Sequence, residues 1–140
     1  MDNNTVIWLT DQDLSRLRHL VVDLTRKARG AQAGLDTLEE ILDVGRIVAP
    51  DEIPRDIVTM NSMVVYEDLT SHERRTATIV YPDDAEPLSG RTSVLSPVGI
   101  ALLGLAEGAE ATLPLPHGRT TRIRILEVAY QPEANGEFSL

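Results

Sequence analysis

Apolar residues recur every three or four positions through the first third of the chain, and the pattern changes after Pro50. Leu14, Leu17, Val21, Leu24 and Ala28 keep the alternating spacing that lays one apolar seam along a helix. Thr10 stands three residues before Asp13, the arrangement of an N-cap followed by an acidic third residue. Arg26, Lys27 and Arg29 fall in the last turn, where cations suit the carbonyl end of a helix, and Gly30 marks a stop. A second seam follows at Leu35, Leu38, Leu42 and Gly45, flanked by Ile41 and Val48 and ended by Pro50. Joined by Ala31-Gln32-Ala33-Gly34, the two seams predict a short antiparallel helical hairpin, a coiled coil in miniature. Its arms of roughly 15 to 18 residues would reach roughly 25 Å. Ahead of it, Val6-Ile7-Trp8-Leu9 predicts a short strand or an apolar staple into the first helix.

Pro50-Asp51-Glu52-Ile53-Pro54 reads as a linker, and beyond it strand patterns take over. Strands are expected at Val64–Asp68 and Arg74–Tyr81, with Thr70-Ser71-His72-Glu73 as the turn between them. Pro82–Gly90 is polar and loop-like; further strands are expected at Arg91–Leu95, Ala109–Leu115 and Arg119–Tyr130. Pro116-His117-Gly118 supplies the last hairpin turn. Between the third and fourth strands lies Ser96–Gly108, which predicts an apolar helix of one to two turns. Ser96 can cap it, Pro97 suits its first turn, and Gly104 and Gly108 punctuate the exit. The fold class is therefore α+β: residues 1–49 form the helical hairpin, and residues 50–140 an antiparallel sheet domain with one short helix.

Composition narrows the function. At 140 residues and 42% hydrophobic, the chain has room for one ordinary domain, or a small domain with an appendage. One Trp and one Phe leave the core mainly aliphatic. The absence of cysteine excludes disulfides and thiolate metal sites and fits a reducing compartment. No signal peptide and no membrane-length apolar run is seen, so a cytoplasmic location is expected. A net charge of −9 argues against a general nucleic-acid binder, leaving room only for a local basic patch.

Catalytic constellations are sparse. His19 falls on the hairpin, His72 and His117 in turns, and none sits in a hydrolase or zinc motif; surface histidines are the expectation. No phosphate-binding loop or dinucleotide fingerprint is present. Asp36 and Glu39 lie three apart near a helix start, on one face. They could hold a hard cation such as Mg²⁺, or Asp36 could be an N-cap with Glu39 closing a capping box. Asp83-Asp84-Ala85-Glu86 reads as a solvated acidic loop, and Arg119, Arg122 and Arg124 as a solvent face or a weak anion patch.

Ser96-Pro97-Val98-Gly99, then Ala101-Leu102-Leu103-Gly104, then Glu107-Gly108, resembles the C-terminal domain signature of the Gre family of bacterial transcript-cleavage factors. Pro54–Ser62, Tyr81-Pro82 and Glu127–Ala134 are similar to the Rnk branch of that family, the regulators of nucleoside diphosphate kinase. The resemblance implies an FKBP-like C-terminal domain that docks on RNA polymerase at the rim of the secondary channel. It implies a polymerase-contact edge at Ser96, Pro97, Val98 and Gly99, with no cofactor and no catalytic residue of the chain's own. The chain departs from the Gre pattern at Ile100 and Leu105, where Gre factors usually carry basic residues. A hairpin of roughly 25 Å is shorter than cleavage factors use to bring acidic residues to the polymerase Mg²⁺. The expectation is a non-catalytic polymerase binder that competes with longer channel-binding factors. The alternatives are a cleavage factor using Asp36 and Glu39, and a direct partner of nucleoside diphosphate kinase, the kinase link otherwise being indirect.

Overall fold

The computed structural model describes residues 6–27 and 34–138. Ala28, Arg29, Gly30 and the Ala31–Ala33 connection, assigned above to the hairpin tip, lie outside the described residues, as does Leu140. The chain opens with β1 (Trp8–Thr10), α1 (Asp11–Lys27), α2 (Leu35–Val44) and β2 (Arg46–Val48). It continues with β3 (Met63–Asp68), β4 (Arg74–Val80), β5 (Arg91–Ser93), α3 (Pro97–Leu102), β6 (Glu110–Pro114) and β7 (Thr120–Tyr130). The α+β class, the helix pair and the single short helix of the second half stand as the sequence predicts.

α1 begins as its sequence dictates. The Asp13 N–H donates to Thr10 Oγ1 at 3.0 Å, so Thr10 ends β1 and caps α1 at once. Leu17 and Val21 are buried, with Leu14, Leu20 and Leu24 half-buried along the same seam. Their partners on α2 are Leu35, Leu38, Ile41 and Leu42, all buried.

The second arm is shorter than its apolar spacing suggested. α2 holds 10 residues, about 15 Å, because Gly45 turns extended (φ −63°, ψ 144°) and Arg46–Val48 leave as β2. β2 runs parallel to β1, pairing Trp8 with Arg46 and Thr10 with Val48. The Arg46 guanidinium sits 4.7 Å from the centre of the Trp8 ring, a cation–π contact that the helical reading of Val48 did not foresee.

The main sheet has the order β5-β4-β3-β7-β6. Its hairpins are antiparallel, but β5 runs parallel to β4, so the sheet is mixed rather than wholly antiparallel. The 3₁₀ turns Pro82–Asp84 and Pro87–Ser89 lie in the connection that makes this possible. β7 is 11 residues long and serves two neighbours, β6 with its first half and β3 with its second. β6 is an open edge. Ladder alternation turns the main-chain groups of Pro114 outward, where its missing N–H disrupts no sheet bond.

One buried cluster runs through both halves. It joins Leu9, Leu17, Leu38 and Leu42 to Val64, Ile79, Ile123 and Ile125 of the sheet and to Leu102, Leu103 and Leu105 around α3. Each fully buried aliphatic side chain in it contributes about 1.5–3 kcal/mol. No described helix is long and apolar enough to cross a membrane.

Candidate functional site

The Ser96–Gly108 segment is built by local hydrogen bonding. Ser96 Oγ accepts the Gly99 N–H at 3.1 Å and donates to the Ser93 carbonyl at 2.7 Å. Pro97 occupies the first turn, where no N–H is needed. Gly99 is fixed by close approach: a Cβ there would stand 2.3 Å from the Ser93 carbonyl oxygen and 2.8 Å from Val94 Cα. Both obstacles are backbone, so neither can swing aside. Pro97 is exposed, Ser96 and Val98 are half-buried, and Gly99 is buried. The four residues therefore form a stiff convex turn whose tip is Pro97, with the Ser96 hydroxyl committed to shaping it.

After α3 the chain is stitched to the rest of the molecule. The Gly104 N–H donates to Val58 O at 2.8 Å, the Trp8 N–H to Gly104 O at 2.9 Å, and the Val58 N–H to Leu105 O at 2.9 Å. β1 is thus tied to the exit of the signature helix.

The start of α2 meets the other end of that helix. α2 starts at Gly34, whose φ of +87° few side chains tolerate. A Cβ on Gly34 would stand 2.5 Å from the Leu95 carbonyl oxygen and 3.6 Å from Ile100 Cγ1. The start of α2 therefore lies against the residue preceding Ser96. Ile100 and Leu105, where the resemblance implied basic residues, are turned inward: Ile100 against Gly34, and Leu105 buried in the common core. Ile100 thus faces the start of α2, and Leu105 shares the core with Leu38 and Ile41 of that helix.

Asp36 and Glu39 lie on α2, exposed, with no hydrogen bond or ion pair among the described residues. The capping reading of this pair is corrected: the N-cap is Gly34, with no side-chain cap bond, and Asp36 sits within the first turn. Its carboxylate there still suits the positive end of the helix. No group of three or more metal-ligating side chains exists among the described residues, so the pair lacks further protein ligands for a hard cation.

The remaining candidates resolve simply. His19 Nδ1 meets the Ser15 carbonyl at 2.8 Å, His72 Nδ1 lies 3.4 Å from Glu67, and His117 occupies its turn at φ 64°; all three are exposed. Arg122 and Arg124 are not a free anion patch, because both bond Glu110 across the β6–β7 pair, at 3.2 and 2.7 Å. Arg124 first, then Arg122, holds the Glu110 carboxyl below its usual range.

One group has a long-range partner that the sequence reading did not find. The Asp13 carboxylate, expected to serve its own helix start, accepts the Met60 N–H at 3.1 Å and is 4% exposed. Burial pushes its pKa up to about 7; the Met60 hydrogen bond opposes the shift and the nearby Glu133 carboxylate adds to it. Glu133 accepts in turn from Thr59 Oγ1 at 2.6 Å. No local pattern announces this junction, because Met60 is distant in sequence.

The geometry of the signature turn and the sheet that carries it match one known architecture. The family described as "Transcription elongation factor, GreA/GreB, C-term" matches residues 46–130, more than half of the chain. The chain belongs to the Gre family. It is 39% identical to the "Regulator of nucleoside diphosphate kinase" of Escherichia coli K12, over all of both chains. It is 37% identical to the transcription elongation factor GreA of Desulfovibrio desulfuricans, over 81% of this chain and 70% of that one. Among solved structures, a GreA/GreB elongation factor from Nitrosomonas europaea superposes with a TM-score of 0.72 at 40% identity, covering 89% of this chain and 98% of that one. The full-length match places this Gre-family chain with the Rnk-like branch, and its sheet is the FKBP-type C-terminal domain of the family.

Proposed function

We propose that this chain is a non-cleaving regulator of transcription. It docks on RNA polymerase at the rim of the secondary channel through the Ser96–Gly99 turn and occupies the site that longer Gre-type factors use. Family membership supports the partner and, with it, action in the cytoplasm. The observation that carries the non-cleaving part is the fold-back of the hairpin: α2 is 10 residues long and starts against Leu95, beside the docking turn. A hairpin held there keeps Asp36 and Glu39 close to the docking surface instead of delivering them deep into a channel. Cleavage by metal-ion catalysis needs carboxylates placed at the metal, so the chain blocks without cleaving. It contributes no catalytic group and requires no cofactor. A link to nucleoside diphosphate kinase, suggested by the name of the Escherichia coli relative, follows indirectly from altered transcription.

The test is competition on backtracked elongation complexes. The wild-type chain should lower GreA-stimulated RNA cleavage in a dose-dependent way and add none itself. Pro97→Ala should compete far less while keeping the same thermal midpoint. Failure of the wild type to displace GreA would overturn the reading. Cleavage by the chain itself, abolished by Asp36→Ala and Glu39→Ala, would replace it with a cleavage-factor role. A pull-down that recovers the kinase without polymerase would replace it with a direct kinase contact.

A further inference from the structure

A groove of about 650 Å³ runs between α2 and the β6 edge of the main sheet. Thr37, Glu40, Ile41 and Val44 form one wall, and their spacing puts them on one face of α2. Ile7, Leu103 and Leu105, all buried, give it an apolar floor. Val44, 66% exposed, stands at the rim as an apolar side chain in water. The other wall is Glu110, Ala111 and Thr112. Successive strand residues point to opposite faces, so a groove lined by three in a row follows the edge of β6 itself. None of Ser96, Pro97, Val98 and Gly99 lines it, which sets it apart from the signature turn.

That edge carries unpaired main-chain groups. The Ile125 N–H donates to Ala109 O at 2.9 Å and the Leu115 N–H to Arg119 O at 2.8 Å. With the β6–β7 register, these bonds turn the odd-numbered residues of β6 toward β7. The N–H and C=O of Glu110 and Thr112 therefore point away from β7, and no main-chain bond takes them up among the described residues. Pro114 belongs to the same outward set, and its missing N–H ends the free ladder there. The charges at the groove are equally one-sided. Arg122, which also lines it, bonds Glu110 at 3.2 Å, and Arg124 takes the other oxygen of Glu110 at 2.7 Å while standing opposite Glu67 on β3. That cluster balances itself. Glu40 has no ion pair among the described residues, nor has Asp36 one turn before it, and α2 carries no basic residue. The unanswered charge at the groove is negative, in a chain of net charge −9.

We propose that this groove takes an extended segment of a partner protein as an added strand on β6, with apolar side chains at alternate positions and a lysine or arginine beside Glu40. The main chain of the segment pairs with Glu110 and Thr112, which supplies affinity without regard to sequence. Specificity comes from the two faces of the new strand. On the Ala111 face its side chains meet the core that Ala111 shares with Leu103 and Leu105. On the Glu110 face they meet the self-paired cluster, which suits small neutral polar groups. A helix lying in the groove would cover the apolar floor but displace water from the outward N–H groups without replacing it. A second copy of this chain would bring its own acidic α2 and net negative charge to an already acidic wall.

Fluorescence titration of the full chain tests this with a capped synthetic peptide of alternating threonine and valine, carrying lysine at each end. It should bind, and the same peptide ended by glutamate should bind several-fold more weakly. Methylating the alternate main-chain nitrogens that face β6 should weaken binding roughly tenfold, and methylating the other alternate set should cost little. Thr112→Pro removes one outward N–H and should also weaken binding roughly tenfold; the ladder to β7 keeps all its bonds, as it does at Pro114. Glu40→Gln, at an exposed position with an unchanged thermal midpoint, should weaken the lysine-ended peptide roughly two- to fivefold and leave a neutral-ended one unaffected. If Thr112→Pro lowers the thermal midpoint, the methylated peptides and Glu40→Gln decide the matter alone. The proposal fails if the lysine-ended peptide does not bind or if the glutamate-ended one binds as tightly. It fails if both methylated peptides bind alike, which would leave side chains alone in the groove. A wild-type dimer in sedimentation that Thr112→Pro abolishes would give the edge to a second copy and overturn it. No polymerase enters the experiment, so its failure is distinct from a failure of the docking reading.

Discussion

Two helix starts in this molecule are made from similar residues and held by different means. At α3, Ser96 finds both hydrogen-bond partners three residues away, at Ser93 and Gly99. At α1, Thr10 caps in the same local way, but Asp13 sends its carboxylate to Met60, 47 residues along the chain. The Ser96–Gly99 turn, proposed above as the docking turn, is therefore a self-contained piece of stereochemistry, and the hairpin is positioned by the core it shares with the sheet. The lesson is structural: the signature turn is pre-shaped locally, while the reach of the hairpin is set by how it packs.

Gly99→Ala attacks the local side of that contrast and should do the most damage. The added methyl meets two backbone atoms, and we expect a loss of about 3 kcal/mol or more, read by urea denaturation. A loss under about 1 kcal/mol would mean that the turn can relax. Leu17→Ala attacks the other side. Leu17 is fully buried in the core shared by hairpin and sheet, so about 2–5 kcal/mol should be lost. The whole chain should unfold in one earlier transition; a separate hairpin transition, with the sheet unaffected, would show that the contrast has been drawn in the wrong place.

Asp13→Asn sharpens the comparison through pH. The folded pKa of Asp13, about 7, lies above the ordinary aspartate value of 3.8. Its favourable contribution is thus complete below the unfolded pKa and is lost as pH rises through about 7. The asparagine carbonyl can still accept the Met60 N–H and never charges. The variant should gain about 2–4 kcal/mol over wild type at pH 8 and little at pH 4, measured by thermal unfolding across that range. Asp68, held below its usual range by the Thr70 N–H and then by the Thr121 hydroxyl and the Ser71 N–H, acts in the opposite sense. Its contribution is lost as pH falls through the acidic range, outside the Asp13 window. An identical pH profile for both proteins would place the Asp13 carboxylate in water.

The smallest stability effect belongs to the paired substitution Asp36→Asn with Glu39→Gln. Both side chains are exposed and unpaired among the described residues, so stability should move by less than about 0.5 kcal/mol. Competition with GreA should be unchanged. Lost competition would give the hairpin tip a direct part in docking.

How much was legible in sequence follows the same division. The α1 seam, the Ser96 cap, Pro97 in the first turn and the hairpins of the sheet all depend on neighbours within a few residues, and the pattern found them. The pattern placed Val48 on a helix because apolar spacing does not record that Gly45 goes extended or that Arg46 can stack on Trp8. It placed β5 in an antiparallel sheet because strand direction depends on the path of the connecting chain. For Asp36 the pattern leaves a cap and a cation site both open, because acidic spacing at a helix start looks alike whether the first turn begins at Gly34 or two residues later.

The sequence by itself determined the shape of the signature turn, since Ser96, Pro97 and Gly99 carry their own geometry in caps, ring and missing side chain. Only the tertiary structure decided where the hairpin lies, that Ile100 and Leu105 turn inward to receive it, and that Asp13 is buried. Those outcomes come from burial and desolvation, which act between segments far apart in the chain and leave no periodic trace in either one alone.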